Sequence, residues 1–266
     1  MGNITESKEK KEMGFFDHIE ALRWHIMRSA IAVVAFSFIA FTQKKFIFDF
    51  LLFGPTRADF PTNKLFCWLE SNYTFFQGLC IQDAKFTFIN TDITGQFMLH
   101  IQMSLYVGAV AAFPYIFWEL WRFVKPALKP SELKNTRFII VFVSFFFFLG
   151  AAFGYFILGP FTFNFLTNFQ ISASNMVQVK PTISDYLDNL TNLILGCGIA
   201  FEMPVLAYAL TKIGLITPSF LKRSRKYAAI VILVVAAVIT PSPDWISQMI
   251  VFIPLFGLYE LGVLVS

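Results

Sequence analysis

The sequence predicts an all-α integral membrane protein: six transmembrane helices, both termini on the cytoplasmic side (N-in/C-in), and short helices five and six forming a hairpin. Three observations predict it. The chain of 266 residues is 56% hydrophobic and only 14% charged, against roughly a quarter charged residues in a soluble domain. An apolar excess of this size, 35 Phe included, is accounted for by burial in lipid. Apolar windows of membrane-crossing length recur along the chain, and Lys and Arg are sorted between alternate connections.

The whole chain, 1–266, reads as a single transmembrane domain. Its first span is expected at about 24–42, WHIMRSAIAVVAFSFIAFT, and its second at about 97–121, FMLHIQMSLYVGAVAAFPYIFWELW. The third covers about 138–160 and the fourth about 187–211. Each reaches or exceeds the ~20 residues that a hydrocarbon core of about 30 Å requires. The last apolar block is divided by TPSPD at 240–244, whose two prolines stop a helix. This predicts a fifth helix at about 227–240 and a sixth at about 245–262. At ~1.5 Å rise per residue the fifth is only about 21 Å long, and so short a span thins the bilayer or leans on its neighbours.

Orientation follows from the basic residues. Lys8, Lys10, Lys11, Arg23 and Arg28 precede or open span one. Arg122, Lys125, Lys129, Lys134 and Arg137 join spans two and three, and Lys212, Lys222, Arg223, Arg225 and Lys226 join spans four and five. The opposite side holds Lys44, Lys45, Arg57, Lys64 and Lys85 in one long connection and Lys180 in another. The positive-inside rule then places both termini in the cytoplasm. The opening MGNITESKEKKEMGFFDHIEALRWH has no apolar core followed by a small-residue cleavage site, so no secretory leader is expected. The net charge of +4 is modest and sorted by topology, and gives no sign of a nucleic-acid partner.

The outward segment 43–92 is too long for a plain connector. It contains Pro55, Pro61, Trp68, Phe75 and Phe76, and is expected to fold as a cap over the outer ends of the helices. Cys67 and Cys80 both lie in it. On an oxidising side they are candidates for a disulfide, provided their Cα separation allows one. Cys197, within span four, reads as a small apolar residue.

Little catalytic chemistry is legible. His18, His25 and His100 are too scattered for a metal cluster. Walker, HExxH and GxSxG patterns are absent, and neither an enzyme nor a cofactor is expected. What stands out is polar groups in unusual places. Asp17, Glu20, Glu119 and Glu132 sit among basic residues at the inner face, while Glu202, Asp244 and Gln248 lie in or beside the membrane. A charged residue at the centre of a transmembrane helix costs about 2.5–3.5 kcal/mol on insertion scales, so Glu202 is expected to face a bundle interior or a wet cavity. A carboxylate at a basic face suits a guanidinium, whose fork grips it with two hydrogen bonds. From the residues alone, ordinary ion pairing with neighbours such as Arg23, Arg122 and Lys129 is the simpler account of Glu20, Glu119 and Glu132.

Taken in order, several segments resemble the TatC family, the multispanning core subunit of the twin-arginine protein translocase. DHIEALRWHIMRS at 17–29 is similar to the family's amphipathic motif HLxELRxR, and FPYIFWELWRFVKPALKPSELK at 113–134 to its loop between spans two and three. FGYFILGPF at 153–161, FEMPV at 201–205, TPSPDWISQ at 240–248 and PLFGLYELGV at 254–263 follow in the family's order. Each motif alone is weak; the ordered set covers nearly the whole chain.

The resemblance implies a receptor for signal peptides bearing two consecutive arginines. It further implies assembly with TatA- and/or TatB-type single-span proteins as hetero- and homo-oligomers, and export of folded cargo driven by proton-motive force across a bacterial inner (cytoplasmic) membrane. Carried over position by position, Glu132 is the implied anion for the arginine pair, with Leu128 and Phe123 shaping the apolar rest of the pocket. Arg23 matches the first motif's arginine. That motif's glutamate falls on Ala21, a departure, and Glu20 is one residue earlier, about 100° round a helix. Glu20 therefore reaches the arginines by another route, or Glu132 and Asp17 carry the site. Glu202 is implied to meet an inserted signal peptide or a polar residue of a partner helix. Thr240 and Gln248 would form a polar pair at the outer end of the hairpin, beside Asp244, and receive a partner span. Pro55, Pro114, Pro126 and Tyr155 are expected to be structural. Two rival readings are a proton-coupled secondary transporter of a small solute using Glu202, for which no repeat symmetry is visible, and a thiol oxidoreductase using Cys67 and Cys80, which lacks CxxC.

Overall fold

A computed structural model describes residues 15–57, 59–72, 88–125, 136–168, 181–212, 214, 216–241 and 245–265. Ten α-helices are described: α1 Phe15–Thr42, α2 Pro61–Asn72, α3 Gly95–Val124, α4 Thr136–Phe153, α5 Gly159–Asn168, α6 Ile183–Ala200, α7 Met203–Lys212, α8 Pro218–Arg223, α9 Arg225–Ile239 and α10 Trp245–Val265. Two π-helical segments, Phe46–Leu52 and Gly154–Leu158, and a 3₁₀ turn at Gly54–Thr56 complete them. Among the described residues the extended pairing is a single parallel bridge, Ile89 with Thr182.

Five runs are long and apolar enough to cross a membrane: Ile19–Thr42, Gly95–Val124, Ile139–Thr167, Ile183–Lys212 and Trp245–Val265. α9 has 15 residues, about 22 Å at the usual rise, and falls short of that length. The chain is thus a multi-pass membrane protein. α1 shows the inverted amphipathicity that lipid requires. Leu22, His25, Ser29, Val33, Ser37 and Ala40 form its covered stripe, whereas Trp24, Ile26, Ile31, Val34 and Phe38 are exposed. The small and polar residues face protein and the large apolar ones face outward, as expected where close backbone approach, not water exclusion, joins helices.

α1 and α3 run antiparallel in contact along their length. The Phe41 and His100 rings stack at 4.1 Å near one end, and His25 meets Glu119 near the other. In between, Gly108 lets the backbones touch: a Cβ there would lie 2.5 Å from the Ser37 nitrogen. α4 lies against both α3, through stacked Phe113 and Phe147 at 3.5 Å, and α6. Just past the end of α4, a Cβ on Gly154 of the second π-helical segment would sit 2.6 Å from the Leu193 carbonyl oxygen of α6. α9 and α10 form a hairpin in which α10, at 21 residues, is of full crossing length and not short; Arg225 of α9 pairs with Glu260 of α10 (2.7 Å), and the Tyr259 hydroxyl of α10 donates to the Leu221 carbonyl of α8 (2.7 Å).

The segment expected to fold as a cap holds the first π-helical segment, the 3₁₀ turn and α2. Its attachment has a clear cause. The π-helical segment ends at Leu52, so its last carbonyls lack helical donors. The Tyr155 hydroxyl donates to Leu51 O (2.6 Å) and the Tyr186 hydroxyl to Leu52 O (2.7 Å). Pro160 has no N–H to offer the Phe156 carbonyl four residues back, and the Thr62 hydroxyl on α2 donates to that carbonyl. Phe60 stacks on Phe156 and meets Tyr155 edge-on. Pro55 is buried in the 3₁₀ turn, and Pro114 is accommodated inside α3. Cys67 is disulfide-bonded and Cys197 is a buried free thiol; Cys80 lies outside the described residues.

Candidate functional site

The antiparallel pairing puts the start of α1 and the end of α3 at one mouth. Glu20 and Arg23 are exposed on α1, with no ion-pair partner among the described residues. Phe123 ends α3. Glu132, Leu128 and Pro126 lie outside the described residues, as does the side chain of Asp17.

Between α1 and α3 sits a buried carboxylate. Glu119 is 1% exposed, and both its oxygens are engaged. Oε2 is 2.5 Å from His25 Nδ1, while Oε1 accepts from the Tyr115 hydroxyl and from Arg122 Nη1, each at 3.2 Å. The Arg122 guanidinium also lies 5.2 Å from the centre of the Trp118 ring. The His25 ring also meets Phe123 edge-on, centroids 6.1 Å apart. Buried carboxylates need such compensation, because burial without donors disfavours the charged form. Ion pairing of Glu119 with Arg122 was open from their spacing of three. The bond to His25 was not, since 94 residues separate the partners.

Within the membrane-crossing region Glu202 occupies the break between α6 and α7. Pro204 lies in the first turn of α7, where its missing N–H is tolerated; deeper in a helix it would clash with the preceding turn. Phe201 and Glu202 therefore form a turn, and Glu202 is buried with Oε1 lacking a hydrogen-bond partner among the described residues. Asp188 is a second intramembrane carboxylate, which sequence reasoning passed over inside LDNLTNL; it accepts from Gln102 on α3 at 2.9 Å. Nearby, a cavity of about 250 Å³ is bounded by Leu52, Met103, Tyr106, Phe148, Tyr155 and Thr191.

At the far end of the hairpin Thr240 and Gln248 make no hydrogen bond to each other. Thr240 caps α9 and its hydroxyl donates back to Ala236 O (3.0 Å), while Gln248 is half-buried on α10 without a hydrogen bond among the described residues. The physical reason is local. The hydroxyl bonds back within its own helix, to the Ala236 carbonyl that also accepts from the Thr240 N–H, the local bond open to a threonine four residues on. A groove of about 390 Å³ lined by Asn189, Asn192, Gly196, Val238, Ile239 and Pro241 opens beside it. Asp244 lies outside the described residues. Among the described residues no three His, Cys, Asp or Glu side chains cluster as metal ligands.

Comparison with known proteins agrees along the length of the chain. Residues 17–254 match the family model for the Sec-independent protein translocase protein TatC. A protein of that name from Blattabacterium sp. subsp. Periplaneta americana is 41% identical, covering 97% of this chain and 96% of the relative. One from Carboxydothermus hydrogenoformans is 32% identical over 97% and 94%. Two crystal structures described as twin arginine translocase receptor TatC, one in the detergent DDM, superpose with TM-scores of 0.66 and 0.71 at 29% and 30% identity. Each covers 93% of this chain, which in turn spans 97% and 98% of theirs.

Proposed function

Because the chain belongs to the TatC family of Sec-independent protein translocase proteins, we propose that this component of the twin-arginine translocase is the receptor for twin-arginine signal peptides. It binds them at the mouth formed by the start of α1 and the end of α3, with residues of the following sequence 126–135 taking part. Glu132 grips the arginine pair, Phe123 and Leu128 seat the apolar part of the peptide, and Glu20 and Arg23 border the site. The observation that carries this reading is the end-to-end likeness to structures described as twin arginine translocase receptors. The charge at the mouth supports it: Glu119 is saturated by its own donors, whereas Glu20 is exposed and unpaired among the described residues.

In this reading the chain crosses the bacterial inner membrane six times. α9 is the short fifth span, and both termini are cytoplasmic by the distribution of Lys and Arg. The hairpin end near Thr240, Asp244 and Gln248 receives a TatA- or TatB-type span. Glu202, with a free carboxyl oxygen, meets a polar group of an inserted helix. Proton-motive force drives the export of folded cargo, and no catalysis by the chain is involved. The test is binding of a twin-arginine peptide to the purified chain. Glu132→Ala abolishes binding, and a Lys-Lys peptide binds far less well; equal binding of both peptides overturns the assignment.

A further inference from the structure

We propose that His25 is a positioning residue for the mouth: the buried Glu119 carboxylate anchors its imidazole, and the anchored ring sets the orientation of Phe123. The inference rests on the reading of that mouth as the peptide site.

Tyr115, Glu119, Arg122 and Phe123 lie at i, i+4, i+7 and i+8 of α3, one face of the helix. His25 is the α1 residue that meets this face at both Glu119 and Phe123. An imidazole held at Nδ1 by a buried carboxylate has a fixed ring plane. The Glu119 side chain is in turn fixed from α3 by Tyr115 and by Arg122, whose guanidinium is steadied over Trp118. Phe123 stands in the last turn of α3, one residue before its end, where helix ends fray. The edge-on contact with His25, ring planes 64° apart, supplies a rigid neighbour there. Exposure falls from 18% at the His25 side chain to 1% at Glu119, so the imidazole bridges the sealed interior and the open mouth.

A plain clamp joining α1 to α3 is the competing explanation. The two helices are already held by the Gly108–Ser37 approach and the Phe41–His100 stack. The His25 contact is therefore not what keeps the two helices together, and its loss is informative about the mouth.

The experiment uses the full chain in detergent, with 4-fluorophenylalanine at position 123 and a fluorescent twin-arginine peptide. In His25→Ala the fluorine resonance moves and broadens, peptide affinity falls about tenfold, and thermal stability falls as well, because the buried Glu119 Oε2 loses its partner. His25→Asn keeps a donor near the Nδ1 position but removes the ring. It holds thermal stability, yet it shows the same displaced resonance and lowered affinity. Full affinity and an unmoved resonance in His25→Asn would mean that the clamp alone matters and would overturn the proposal. So would an unchanged resonance and affinity in His25→Ala. If the parent chain fails to bind the peptide at all, the receptor reading falls, while the fluorine response to His25→Ala still decides whether His25 orders Phe123.

Discussion

Replacing Tyr186 by Phe removes one oxygen from a site where the consequence can be worked out. Tyr186 is 3% exposed, and its hydroxyl donates to Leu52 O at 2.7 Å. Its ring lies 4.5 Å from Phe163 and 4.9 Å from Phe88, contacts that Phe retains. The substitution thus isolates one hydrogen bond and strands one carbonyl at the end of a π-helical segment. A buried acceptor left unpaired costs about 1–3 kcal/mol, and side-chain hydrogen bonds measured between membrane helices average about 0.6 and reach about 1.7 kcal/mol. A loss of about 1–2 kcal/mol is expected, or about 2–8 °C in melting temperature for a chain of this size. Tyr155→Phe removes the donor to the adjacent Leu51 carbonyl. The double variant should lose less than the sum, because the two bonds restrain the same segment. Thermal unfolding in detergent measures the loss, and trypsin cleavage at exposed Arg57 should accelerate as the segment loosens. Tyr227→Phe, at an exposed position on α9, is the control. Should Tyr186→Phe match Tyr227→Phe in both assays, the capping argument is wrong.

The same substitution at two glycines should act with opposite signs. Gly108→Ala drives a methyl into the Ser37 backbone and is expected to destabilise by about 1–3 kcal/mol. Gly257→Ala, with nothing within 4 Å of its Cβ position inside α10, should stabilise by about 0.5–1 kcal/mol; shifts of the same sign in thermal unfolding would refute the close approach. Gln248→Leu should lower co-purification of a TatA- or TatB-type protein while twin-arginine peptide binding persists; undiminished co-purification removes Gln248 from the partner site.

Some of this architecture is legible in the residues because lipid makes simple demands. Four of the crossing runs follow from uninterrupted apolar length, and the α9–α10 turn follows from two prolines within three residues at 241–243. The break at Glu202 has a local signature in Pro204. By contrast, the grip of Tyr155 and Tyr186 on the segment after α1 joins residues 104 and 134 positions apart and follows no short-range pattern. The His25–Glu119 bond is hidden for the same reason, and Asp188 was masked by the apolar residues around it. Thr240 shows a different limit. Its polarity and place at the hairpin turn were readable, but the chain's own helix end was the nearest acceptor. At the mouth, Glu20 is exposed on α1 and Phe123 lies in the last turn of α3.

The account stands or falls on whether the acidic mouth recognises paired arginines. The direct measurement is photo-crosslinking of a twin-arginine peptide to the full chain in membranes, with the crosslinked segment mapped by mass spectrometry. The account predicts adducts within 122–137 that vanish with Glu132→Ala and with a Lys-Lys peptide. Adducts that persist under either change, or that map only to the α9–α10 hairpin, would contradict it.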